Sequence, residues 1–165
     1  ITTVGLTEST TFVKEYFLQP TIKEIILPQV LYPVDEYVLT DQAKDSLEVL
    51  YQTMADNPNI VIELRSHTDS RKTSRYKGGN MELSQKRAQS CVNYLVVKGI
   101  EPERMKPVGR GAEEPLITDA QISKMATKEE KEAAHQLNRR TDFKVVRSNF
   151  VPGDATPEIP PSPNN

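Results

Sequence analysis

The sequence predicts an α/β (α+β) two-layer sandwich, with helices packed against one sheet. Three observations carry that expectation. Ile60, Ile62 and Leu64 alternate with Val61, Glu63 and Arg65, which is the period of a strand. Ala43, Leu47, Leu50, Tyr51 and Met54 recur at helical spacing, as do Ala88, Cys91, Val92, Leu95 and Val96. Strand-type and helix-type segments then alternate along the chain instead of grouping by kind.

Taken in order, residues 1–19 are Thr-rich and weakly patterned, and read as a connecting segment. Branched apolar residues between Ile22 and Tyr32 suggest strands at Glu24–Leu27 and Gln29–Tyr32, bracketed by Pro28 and Pro33, since proline confines strands to edges and ends. Thr40 is a good N-cap, and Asp41 suits the positive end of the helix it opens. Asn57-Pro58 stops that helix. The strand around Ile60–Arg65 follows, and it delivers His67-Thr68-Asp69 at its C-terminal end. A second helix is expected from Leu83 to Lys98, ended by Gly99 as its C′ residue. A short strand at Arg104–Val108 leads into a Gly-rich turn, GRGAEEP. Residues 118–137 are polar, with one helix expected around Lys128–Gln136. A last strand, Asp142–Val146, turns Phe143 and Val145 inward. From Asn149 the tail FVPGDATPEIPPSPNN is too rich in proline and too poor in apolar residues to fold. The division expected is therefore 1–19, a domain at 20–148, and a tail at 149–165.

A chain of 165 residues accommodates one domain with a real core. Its net charge of −2, with both signs mixed, argues against a nucleic-acid or membrane-surface binder, which needs a basic field. No apolar run approaches the roughly 20 residues that span a bilayer. The chain starts at Ile1 without methionine, which suggests a piece of a longer protein. Cys91, the one cysteine, falls on the apolar stripe of its helix and reads as a packed thiol. His67 and His135 have no ligand-like company, so no metal or cofactor is expected.

Chemistry draws attention to Asp69 and Arg87. An aspartate just after a strand should present its carboxylate to solvent at the sheet's end, where ligands of open α/β sheets collect. By itself, though, such a residue is more often the start of an Asx turn. Arg87 borders the buried stripe of its helix, so its guanidinium could emerge beside the Asp69 loop or simply be solvated. An acid and a base offered from neighbouring segments suit a small zwitterion better than a long polyanion.

The order apolar strand, SHTD, Asn-x-x-Leu-Ser-x-x-Arg-Ala, then Asn-Arg-Arg before a last strand resembles the OmpA-like C-terminal domain family of peptidoglycan-binding modules. The resemblance implies a βαβαβ core with a mixed sheet, plus a short extra helix and a final strand. It implies a non-catalytic grip on the diaminopimelate-containing stem peptide of peptidoglycan, in the periplasm of a Gram-negative bacterium, at the outer membrane or cell wall. In this family the aspartate at Asp69 binds the diaminopimelate, and the arginine at Arg87 takes a carboxylate, for which its planar fork is well matched. The VLYPVDEY segment resembles the family's first strand and following loop, which puts Asp35, Val34 and Tyr37 at pocket positions. Asn80 matches a residue that contacts the ligand or fixes the loop; an N-cap is the equal alternative. Thr68 and Ser70 flank the acid, and Leu83 belongs to the same helical motif. Of Arg139 and Arg140, one is expected to be structural and tied to a carboxylate, and the other to face the ligand.

The chain departs from the pattern in three places. Lys72 stands where glycine is usual, with Gly78 and Gly79 as substitutes for the lost left-handed backbone. The first-loop motif reads PVDEY, without its aromatic, and EEKEAAHQLNRRTDF is fuller than in short members. That last segment and the LPQVLY lead-in resemble Bacteroidetes-type domains, some of them in the type IX secretion machinery. Partners implied are the stem peptide and envelope proteins or upstream domains of the same chain. Two other function classes stand beside wall binding. A hydrolase would need paired carboxylates or a metal site, neither of which the sequence offers. An assembly domain without wall binding would fit the altered loop.

Overall fold

Residues 30–153 are described by a computed structural model, and their first regular element is the one Thr40 opens. The Thr40 side chain accepts from the Ala43 amide at 3.1 Å, starting helix α1, Asp41–Asp56. Ala43, Leu47, Leu50 and Met54 form its buried face. Among the described residues, strand β1, Val61–His67, lies in the middle of a three-stranded sheet of order β2-β1-β3. Being central, it is buried on both faces except at Arg65, so simple alternation is lost.

Helix α2, Gly79–Val97, begins one turn before the expected Leu83. Its first turn is polar and carries no apolar stripe to announce it, and Gly79, not Gly78, takes the positive φ of 59°. Val96 is not in the stripe: it is exposed, while Leu83, Arg87, Ala88, Cys91, Val92 and Leu95 turn inward. The helix ends as expected on Gly99 at φ 103°, with the Gly99 amide donating to Val96 and the Ile100 amide to Leu95.

A 3₁₀ turn, Pro102–Arg104, leads into strand β2, Met105–Gly111, which runs parallel to β1. The expected Gly-rich turn is therefore partly strand. Gly109 is glycine because α2 lies against it: a Cβ there would sit 2.6 Å from the Gln85 amide nitrogen. Two short helices follow, α3 at Asp119–Ser123 and α4 at Lys128–Asn138. Only the second was expected. Each opens with a complete capping box, Thr118 with Gln121 and Thr127 with Glu130. Strand β3, Thr141–Arg147, pairs antiparallel with β1 on its other side. The sheet is thus mixed, and the fold is the expected α+β one.

The core gathers Val30, Tyr32, the inner face of α1, Ile62, Leu64, the α2 stripe, Met105 and Phe143, with Val145 partly buried against it. Cys91 is buried there, its sulfur 3.0 Å from the Tyr32 hydroxyl. The expected strand at Glu24–Leu27 lies outside the described residues. Of Gln29–Tyr32, residues 30–32 are buried or partly buried but carry no strand pairing. Order continues past the expected tail boundary: Phe150 is buried, and its amide donates to the Asn59 carbonyl at 2.9 Å.

Candidate functional site

Four segments converge at the C-terminal end of β1. After a register shift between Ser66 and His67, the chain leaves the ladder, with the Thr68 amide donating to Gly111 at 2.7 Å. Asp69 follows. The 33–36 turn approaches from one side, α2 supplies Asn80, Leu83 and Arg87, and the end of α4 supplies Arg139. Between them is a hollow of about 90 Å³ lined by Val34, Asp35, Thr68, Asp69, Arg71, Lys72, Asn80, Leu83, Arg87 and Arg139.

Asp69 does not present an open carboxylate to solvent; it is 5% exposed. Its Oδ1 accepts from the Arg71 amide at 3.1 Å, an Asx-turn bond, so that local role is real. Its Oδ2 accepts from Arg71 Nε and Nη2 at 3.0 and 2.5 Å and from Arg139 Nη1 at 2.6 Å. Burial opposes its ionisation, but these hydrogen bonds and charges outweigh burial and hold its carboxyl below the ordinary value.

Arg87 does not emerge either. It is completely buried, stacked 4.6 Å over the Tyr32 ring. Its acceptors among the described residues are all backbone carbonyls: Glu36 at 2.8 Å, Pro33 at 3.0 Å and His67 at 3.4 Å. Burial pulls its pKa down to about 10, still well above neutrality. Among the described residues this buried cation has no carboxylate among its hydrogen-bond partners, and it borders the hollow. The lining as a whole leans cationic, with four cationic side chains (Arg71, Lys72, Arg87, Arg139) against two carboxylates (Asp35, Asp69).

Asn80 is no N-cap; it lies inside α2, whose cap position is Gly78. Its amide nitrogen donates to the carbonyls of Asp69 and Arg71 at 3.2 and 3.1 Å, and its oxygen accepts from the Thr73 amide at 3.3 Å. It ties the acidic loop to the helix. Asp35 takes a left-handed φ of 56° at the corner of the 33–36 turn, a conformation costly for a non-glycine residue. The loop before α2 holds it there: Tyr76 and Arg75 donate to the Asp35 carbonyl at 2.9 and 3.3 Å, and Arg75 also pairs with Glu36 at 2.6 Å.

Three expected positions stand apart from the hollow. Ser70 turns outward to Asp119 at 2.6 Å. Tyr37 packs edge-on against Tyr76, ring centroids 6.4 Å apart. Arg140 is drawn to Asp142 at 3.4 Å and to the Glu114 carbonyl. Both arginines are tied to carboxylates, Arg139 to Asp69 and Arg140 to Asp142, and Arg140 does not line the hollow. Arg139 does line it. Arg71, Lys72 and Glu132 were missed; no strand or helix periodicity reaches the loop that holds the first two, and Glu132 is one of many acids on a polar helix. Among the described residues, no group of three or more His, Cys, Asp or Glu side chains could hold a metal ion. None of the described helices is long and apolar enough to cross a membrane.

The OmpA family model matches residues 31–129, which include the hollow's first loop, β1, the acidic turn and α2. The chain belongs to the OmpA family. One relative of this OmpA-family chain is the peptidoglycan-associated lipoprotein of Buchnera aphidicola subsp. Baizongia pistaciae, 32% identical over 87 residues, or 53% of the chain. The chain spans about half the length of the curated relatives it matches, 49% of the Buchnera protein and 52% of the Rhizobium meliloti lipoprotein. Among solved structures, the peptidoglycan-associated lipoprotein of Burkholderia pseudomallei is similar with a TM-score of 0.56 and 28% identity, covering 71% of this chain and 88% of that one. The cell wall anchor of the T6SS from Pseudomonas aeruginosa is similar with a TM-score of 0.55 and 25% identity, covering 70% and 73%.

Proposed function

We propose that this chain binds peptidoglycan without catalysis, through the free zwitterionic end of a diaminopimelate stem, and so anchors an outer-membrane or periplasmic assembly to the cell wall. The observation that carries this reading is Arg87: a fully buried cation whose hydrogen-bond acceptors among the described residues are carbonyls, bordering the hollow that also contains Asp69. Arg87 would take the acid of the zwitterion and Asp69 its ammonium. Relatives named for association with peptidoglycan, and a solved wall anchor of the same fold, support it. They also support a place in the Gram-negative envelope. The Bacteroidetes-type sequence features point to the type IX secretion machinery as the assembly anchored. One weak site suffices for that task, since neighbouring stems on a sacculus raise effective affinity by rebinding.

The test is retention on purified sacculi, with calorimetry on a diaminopimelate-containing tripeptide. Wild type should be retained and Asp69→Asn should not, with no muropeptides released over time. Fragment release would make it a hydrolase. No retention and no heat with millimolar peptide would leave an assembly domain in its place.

A further inference from the structure

Asp69, Arg71, Glu132 and Arg139 close a ring of alternating charges. The contacts are 2.5 Å from Asp69 to Arg71, 2.8 Å from Arg71 to Glu132, 3.0 Å from Glu132 to Arg139 and 2.6 Å from Arg139 back to Asp69. The ring has a fixed half and a movable half. The Asp69 and Arg139 side chains are 6% and 5% exposed, whereas those of Arg71 and Glu132 are 43% and 51% exposed. Arg139 is further held by the Tyr32 carbonyl and by Gln136.

This ring poses a problem for any ligand amine. Asp69 already accepts from four donors, two of them on the Arg71 head. An ammonium reaches the carboxylate only if one arginine withdraws. Arg139 is buried, and its withdrawal would strand a charge inside the protein. Arg71 is free to leave, because Glu132 already receives its Nη1 at 2.8 Å and Nη2 at 3.3 Å. Its departure exposes donors at the mouth of the hollow, beside Lys72.

We propose that Arg71 is a specificity-determining residue that changes partner. In the free protein it fills the amine-binding face of Asp69. A ligand ammonium displaces it, and the displaced guanidinium, retained by Glu132, pairs with a carboxylate of the same ligand. An amine that carries an adjacent acid recovers the lost contact; an amine alone does not. The site therefore selects ligands with both groups by two arginines, Arg87 inside and Arg71 at the mouth. This inference rests on the wall-binding reading above.

The experiment compares two tripeptides that differ by one carboxylate, with diaminopimelate or lysine at the third position, against wild type, Arg71→Ala and Arg71→Gln. Thermal unfolding of each variant checks that the fold is kept. Removing Arg71 takes away an internal competitor for the amine and a receptor for the acid. The lysine peptide should then bind more tightly, and the preference for the diaminopimelate peptide should shrink at least about tenfold, or roughly 1.4 kcal/mol. A folded variant with an unchanged ratio of dissociation constants overturns the Arg71 assignment alone. Wild type that binds neither peptide overturns the wall-binding reading, and this inference with it.

Discussion

Replacing Arg87 with methionine separates the two jobs a buried arginine can have. If Arg87 were a structural linchpin, removing it should cost the roughly 3–5 kcal/mol typical of breaking a buried pair. Its surroundings imply otherwise. Its pKa falls well below the ordinary arginine value, to about 10, chiefly through burial. At about 1.4 kcal/mol per unit, keeping it charged costs the folded state on the order of 3 kcal/mol. Methionine removes that cost and fills much of the same length. Against it stand the carbonyls of Pro33, Glu36 and His67, which each lose the Arg87 donor. Each costs about 1–3 kcal/mol if left dry, and less if water enters from the adjoining hollow. With water entering, these effects nearly cancel, and the expected stability change is then within about 2 kcal/mol in either direction. Binding should respond very differently. Losing one partner of a desolvated charge pair costs about 2–5 kcal/mol, or roughly a 30- to 5,000-fold loss of affinity. Urea denaturation and calorimetry with the diaminopimelate tripeptide measure the two quantities side by side. A variant destabilised by more than about 4 kcal/mol that still binds like wild type would refute the anion-receptor argument and leave Arg87 a structural residue.

Gly109→Ala should destabilise the protein by about 1–3 kcal/mol in urea titrations, because its Cβ would lie 2.6 Å from backbone in α2 and push helix from strand. Acid should unfold the protein through its paired carboxylates. Asp69 and Asp142 both lie below their ordinary value of 3.8 despite burial, because arginines, and for Asp142 also His67, hold the charged forms. The unfolded chain then binds protons that the folded chain does not, so their stabilisation is complete well above pH 3.8 and is lost as pH falls through the lowered folded values. Asp142→Asn should flatten the acid limb of a stability–pH curve. Thr127→Ala should cost about 1 kcal/mol by removing a cap, read as a lower melting temperature, and so test whether α4 is held by its own sequence.

The sequence alone determined the parts of this protein that repeat with a period. The apolar spacing of α1 and α2, the branched run of β1 and the glycine at position 99 are local signals, and each element formed where its signal lay. The SHTD and LSxxRA segments likewise marked the acid and the base that share a hollow. Boundaries slipped where packing overruled local preference: β2 runs through its glycines because β1 pairs with them and α2 presses on Gly109. Helix α3 was legible as the capping box TDAQ, although the stretch had no apolar stripe to draw attention to it.

Only the tertiary structure decided what surrounds the charges. Whether Arg87 is solvated or sealed depends on the 33–36 turn folding over it from fifty residues upstream, with bonds to Pro33 and Glu36 spanning 54 and 51 residues. Asp69 is closed by Arg139, 70 positions later, and Arg71 is steadied by Glu132 across 61. Periodicity reports which face of an element is apolar, but charge–charge geometry depends on how separate elements are placed together. Packing brings these groups within 3 Å, and it does so between segments that carry no trace of one another in the chain.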